Sequence, residues 1–254
     1  SEIHKAYSPF FHESYGEQTK ALFTEILKQE GYLTCCDLLH ENIISKKGFD
    51  IHQAHDEYND DLEVRHTNLI RSIYQKSNSS PFFCFLHFTN IHRETVSEVL
   101  KKYEWDEQEF YDNIDENKKR YDSIFDISCQ YAKKIIQVID DLGLEDDTYI
   151  VFFSDHGTGL GERYGERNYG SFTYEETIRT FYLFLGKEVK KNKISTKLHS
   201  SLDIFPTILD LTGINNKNKN VGNSLWPAVI GDTENEDEYT FSETGALHGP
   251  FPSP

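Results

Sequence analysis

Asp155 and His156 stand side by side where a run of β-prone residues, Thr148-Tyr149-Ile150-Val151-Phe152-Phe153, gives out and Gly157 releases the chain. A buried strand gains nothing from a polar pair at its end. A metal or phosphate site does, because strand ends in α/β folds hold side chains rigidly at the rim of the sheet. The ten residues alone leave a second reading open, a turn whose Asp caps the next segment.

The elements around the pair narrow the choice. Before the strand, Ile124, Ile127, Tyr131, Ile135, Val138 and Leu142 recur at three- and four-residue steps, which predicts a helix. Gly143 and Asp146-Asp147 punctuate the way into the strand. After it come a glycine-rich polar loop, Gly157 to Gly170, then Tyr174-Glu175-Glu176-Thr177-Ile178-Arg179 and a second apolar run, Phe181-Tyr182-Leu183-Phe184-Leu185. Both apolar runs read as buried strands. Ser201 to Ile214 contains an early proline and a late glycine that bracket one short apolar helix.

Ser-Asp-His-Gly after a strand, Tyr-Glu-Glu-Thr-Ile-Arg before the next, and Leu202-Asp203-Ile204-Phe205-Pro206-Thr207-Ile208-Leu209-Asp210-Leu211-Thr212-Gly213-Ile214 together resemble the sulfatase family of the alkaline phosphatase superfamily. Further pieces agree in order. Leu27 to Thr34, with Gly31-Tyr32-Leu33-Thr34, is similar to the family's helix-to-strand step after its nucleophile, and Gly48-Phe49-Asp50 to the Gly-Phe-Asp that follows. Pro81 to Phe88 with Asn90-Ile91-His92 resembles the strand that delivers a substrate-facing histidine, and Gly222-Asn223-Ser224-Leu225-Trp226-Pro227 the closing Gly-x-Ser-Leu-x-Pro. The match covers roughly residues 17 to 245. It implies an α/β fold with a mixed, mainly parallel central sheet flanked by helices. Residues 1–231 would form that domain, incomplete at its N-terminus, and 232–254 an acidic loop and tail leading into a further C-terminal part.

The resemblance also implies a chemistry, hydrolysis of sulfate esters, with phosphate-ester hydrolysis or transfer in the same superfamily as the alternative. A non-catalytic protein that binds an anionic glycan or a partner is the competing class. A divalent cation neutralises the ester's anionic oxygens and lowers the pKa of a coordinated nucleophile. Asp155 and His156 match two of the family's metal ligands. Calcium is the family's usual ion, and the imidazole nitrogen of His156 suits manganese or zinc. His92 matches the histidine that binds a sulfate oxygen or protonates the leaving group. Where the family places a basic residue before Tyr-Glu-Glu, this chain has Tyr169, with Arg167 two positions away as a planar oxyanion ligand. His87 reads as packed within its strand, Arg179 as paired with nearby acids and Asp203 as a helix cap. No nucleophile is recognisable, since none of Cys35, Cys36, Cys84 or Cys129 is followed by x-Pro-x-Arg. The chain therefore reads as a fragment rather than a pseudoenzyme, and by itself as inert.

Composition agrees with a globular domain: 254 residues, 37% hydrophobic and 14% aromatic, are enough for a substantial core. The net charge of -17 argues against nucleic acid or an anionic membrane as partner, though not against a small anionic ester or sulfated glycan in one pocket. No apolar run approaches the span of a bilayer. A missing secretory signal decides nothing about compartment when the N-terminus reads as incomplete. The four cysteines lack metal-like spacing, and Cys84, inside an apolar run, reads as a packed thiol. The acid runs Asp56-Glu57-Tyr58-Asn59-Asp60-Asp61 and 234–238 read as solvated loops. Gly157-Thr158-Gly159-Leu160-Gly161 has the wrong spacing for a dinucleotide loop, and Asp155-His156 would occupy its tight turn.

Overall fold

The computed structural model describes residues 22–41, 43–104, 108–169, 172–215, 222–233 and 239–242. They fall into two compact units: one of the residues up to Glu94 with Asp126–Leu142, the other of Thr95–Phe125 with those from Gly143 onward. The expected closing motif is described from Gly222, and the second acid run, 234–238, lies outside the described residues.

In the first unit, α1 (Phe23–Gln29) leads into β1 (Leu33–Leu38), followed by β2 (Ile51–Ala54), α2 (Leu62–Ser77) and β3 (Phe82–Leu86). The three strands form a parallel sheet in the order β2-β1-β3, with Cys35 level with both Ile51 and Cys84. A central parallel strand is covered on both faces, which explains why all of β1 after Leu33 is buried. Helix α2 starts where the Asp61 carboxylate accepts the amide of Val64. Its Leu69 and Ile73 then pack on Cys35, Leu33, Ile51, Phe82, Cys84 and Leu86. Cys84 is a packed thiol as expected, with its sulfur against that of Cys35. That contact and burial raise the Cys35 thiol well above its ordinary value.

Two expected motifs meet here. Thr34 donates from its hydroxyl to the Gly48 carbonyl and from its backbone amide to the Asp50 carboxylate, which also pairs with Lys28. Gly48 has φ +79°, and a Cβ there would lie 2.4 Å from the Glu25 amide nitrogen, so only glycine lets this loop approach α1. Helix α3 (Asn90–Glu98) follows β3.

In the second unit, α4 (Gln108–Asp112) precedes α5 (Ile114–Asp141), whose later turns belong to the first unit. The helical spacing from Ile124 holds: Ile124, Tyr131, Ile135 and Val138 are buried, whereas Ile127 is exposed. Next come β4 (Ile150–Phe153), α6 (Glu175–Ile178), β5 (Tyr182–Leu185), α7 (Ile204–Leu211) and α8 (Trp226–Val229). β4 and β5 pair antiparallel, Phe153 opposite Tyr182. The expectation that both are buried is corrected: Phe153 is 41% and Leu183 48% exposed. A two-stranded ladder has no flanking strand to cover its edges, and none joins it among the described residues. The fold is α/β and mainly parallel with flanking helices, as expected.

The expected helix at 201–214 is a 3₁₀ turn, Ser201–Asp203, running into α7. The expectation that Asp203 caps the helix is corrected: its side chain makes no cap bond to α7, and as the third residue of the 3₁₀ turn its carboxylate accepts the Ser200 amide and, on its other oxygen, the amide of Asn223. The Thr207 hydroxyl accepts the amide of Leu225. The closing motif is thus tied to the helix that precedes it.

Candidate functional site

Strand β4 ends one residue before the turn that carries Asp155 and His156. The Asp155 side chain is turned to solvent, and its Oδ1 accepts the His156 amide at 3.0 Å. The His156 ring stacks on Tyr169 at a centroid distance of 3.8 Å and a tilt of 28°. Its Nδ1 lies 2.7 Å from the carbonyl of Gly157. A carbonyl can only accept, so Nδ1 carries the proton and Nε2 of the neutral ring keeps its lone pair. Nε2 sits 3.8 Å from Asp155 Oδ1. Donors so spaced can share one cation held about 2.0–2.4 Å from each. A backbone carbonyl on the other ring nitrogen is also how ligating histidines are oriented. The donor set therefore fits a divalent cation and fills part of its shell.

Gly157 explains why the pair stays in place. Its amide donates to the carbonyl of Thr177, and a Cβ there would lie 2.3 Å from the carbonyl oxygen of Glu176. The Tyr174–Arg179 segment thus packs directly beneath the turn. Gly157→Ala should cost about 1–3 kcal/mol, the usual range for overpacking. Denaturant unfolding checks this, and a change within about 0.5 kcal/mol, the scatter of neutral surface substitutions, would contradict it.

The glycine-rich loop is clamped by buried polar groups. Gly159 and Asn168 exchange backbone hydrogen bonds, and the buried Glu166 accepts the amide of Phe172 at 2.6 Å. Asn117, on α5, donates to the carbonyls of Phe110 and Leu160. Arg167 donates to the carbonyls of Leu100, Tyr103 and Glu104, and its guanidinium lies 4.8 Å over the Phe110 ring. The structure therefore brings together Asp155, His156 and Tyr169, with Arg167 bracing the loop that carries Tyr169. Arg179 pairs with Glu175, as expected.

His92 lies in the other unit, on the first turn of α3, with its side chain 41% exposed. Its Nδ1 is 2.8 Å from Oε1 of Glu57, and Arg93 donates to the Glu57 carbonyl. The reading of the first acid run as a solvated loop is corrected at one position: Glu57 is buried beneath His92, whereas Asp60, which pairs with Arg65, and Asp61, which caps α2, stay partly or fully exposed. No local signal marks Glu57, since its partner lies 35 residues away.

The family profile Sulfatase matches residues 4–214. The chain belongs to the sulfatase family. It is 31% identical over 99 residues to an extracellular sulfatase SULF-1 homolog of Drosophila melanogaster, covering 39% of this chain and 9% of the relative. It is 28% identical over 146 residues to the low-salt glycan biosynthesis sulfotransferase Agl7 of Haloferax volcanii, covering 56% and 34%. Its fold resembles that of a 2-O GAG sulfatase, BT1596, with a TM-score of 0.62 at 19% identity over 87% of this chain and 59% of that one. The match to the sulfatase chain thus spans 9% and 34% of the two sequence relatives' own lengths. No helix among the described residues is long and apolar enough to cross a membrane.

A second polar cluster lies in the first unit of this sulfatase chain. Asp37, fully buried on β1, receives His55 Nδ1 at 2.9 Å on one oxygen and the Arg65 guanidinium on the other. Burial alone would raise the Asp37 carboxyl. The hydrogen bonds from His55 and Arg65 outweigh it and hold the group below its ordinary value. His55 Nε2 meets the Thr89 hydroxyl at 3.1 Å, and His66 Nδ1 the Tyr131 hydroxyl at 2.6 Å. Sequence reasoning passed over this cluster, although a carboxylate inside the apolar Cys35-Cys36-Asp37-Leu38 run is the same kind of signal as Asp155.

Burial pushes His66 down to about 4, against the pull of Asp37. Above its unfolded value of about 6.5 the ring is neutral in both states. Below that the unfolded chain takes a proton that the folded chain refuses, so stability falls as pH drops from about 6.5 towards 4. The loss attributable to His66 should be about 2 kcal/mol at pH 5 and about 3 kcal/mol near pH 4. Denaturant midpoints in chelator at pH 7.5 and 5 check it. The His66→Gln variant should show a shallower slope, and an equal slope would contradict the assignment.

Proposed function

We propose that this chain supplies the cation-binding strand end of a metal-dependent hydrolase of sulfate esters, its substrates small anionic esters or sulfated glycans. One observation carries the reading: Gly157 fixes the His156 tautomer so that Nε2 and the Asp155 carboxylate converge. When bound there, a divalent cation neutralises ester oxygens and lowers the pKa of a nucleophile. Calcium is the leading ion, and the nitrogen of His156 also suits manganese or zinc. The chain's own groups do the rest. Tyr169 holds the His156 ring flat and offers its own face to the substrate, and Arg167 serves that contact by holding the loop. In the other unit, Glu57 holds Nδ1 of His92 and leaves Nε2 as the nitrogen for an ester oxygen or a leaving-group proton.

In a preparation that turns over an aryl sulfate, His92→Ala should lower turnover about 10²–10⁴-fold, the usual worth of a positioned acid. Its stability should change little, given the half-exposed ring. Equal loss of both would return His92 to a packing role. Assays on aryl sulfate and aryl phosphate with calcium, manganese and zinc separate the two ester classes. Turnover of the phosphate alone would replace the sulfatase reading with the phosphohydrolase one.

A further inference from the structure

The ester-hydrolase reading leaves Asp37, His55 and His66 unused. One ligand atom from each of the three lies within 4.8 Å of the others. Asp37 and His66 are 0% and His55 5% exposed. His66 Nε2 is buried and has no hydrogen-bond partner, while Nδ1 is held by Tyr131. A buried polar atom left unanswered is uncommon and points to something that fills the place. The Tyr131 hydroxyl can accept from Nδ1–H, and in that tautomer Nε2 presents a bare lone pair, the arrangement in which histidines ligate metals.

The donor set says what would fill it. Two imidazoles and one carboxylate suit zinc and its neighbours. Calcium and magnesium would ask for a shell of oxygens. We propose that Asp37, His55 and His66 form a binding site for a transition-metal dication, zinc by its donors. Arg65 is the competitor. Its guanidinium supplies the countercharge to Asp37, while its other nitrogens hold the Ala54 carbonyl and Asp60. Two cations on one buried carboxylate repel, so the metal displaces Arg65 towards Asp60, and one ring nitrogen of His55 exchanges its hydrogen bond for the ion.

The test uses zinc alone, titrated calorimetrically into the full chain carrying Asp155→Ala and His156→Ala, so that failure of the ester-hydrolase reading does not affect it. One equivalent should bind. His66→Ala should weaken binding at least tenfold. Arg65→Gln, which leaves all three ligands intact, should tighten it at least tenfold and decides the matter if His66→Ala fails to fold. Absence of zinc binding in this background would overturn the proposal, as would an affinity unmoved by Arg65→Gln. The cluster would then be a closed hydrogen-bond network with a water at His66 Nε2.

Discussion

Asp37→Ala should destabilise the chain by about 3–5 kcal/mol, the range found when one partner of a buried ion pair is removed. The loss is large because the Arg65 guanidinium and the fully buried His55 ring both depend on that carboxylate. Asp37→Asn keeps an acceptor for one of them and should lose less. Denaturant unfolding in chelator reads both variants. A loss below about 1 kcal/mol for the alanine variant, the level of an exposed pair, would show that Arg65 is held from the surface instead.

The second large effect concerns the strand-end pair. In a preparation active on aryl sulfate, Asp155→Ala should reduce turnover about a thousandfold, because a bound cation supplies several kcal/mol of charge stabilisation and each decade is worth about 1.4. Stability should barely move, since the Asp155 side chain is 76% exposed and, among the described residues, hydrogen-bonds and pairs with His156. Excess metal should restore part of the activity. Turnover within tenfold of the parent would mean that the pair is a turn and not a ligand set.

Much of the fold was legible because the signals are local. Apolar runs marked β3, β4 and β5, and the spacing from Ile124 marked α5. The order of short motifs carried the family. Burial was harder to read. Phe153 and Leu183 look like core residues in sequence, yet their exposure follows from how few strands join the ladder. Site residues divided the same way. Asp155, His156 and Tyr169 lie within 15 positions, and the loop between them closes on itself through Gly159 and Asn168. Glu57 beneath His92, and Asp37 with His55 and His66, come together only through the parallel pairing of β1 with its neighbours, which no residue spacing announces.

The proposal that Asp155 and His156 hold a divalent cation is tested most directly by manganese titration followed through the histidine ring resonances. Manganese is paramagnetic and broadens nuclei close to it. In a chain carrying His66→Gln, the His156 ring should broaden at the lowest metal concentration, ahead of exposed histidines such as His40, and Asp155→Ala should abolish that preference. A His156 signal that broadens no earlier than His40, or one indifferent to Asp155→Ala, would contradict the account.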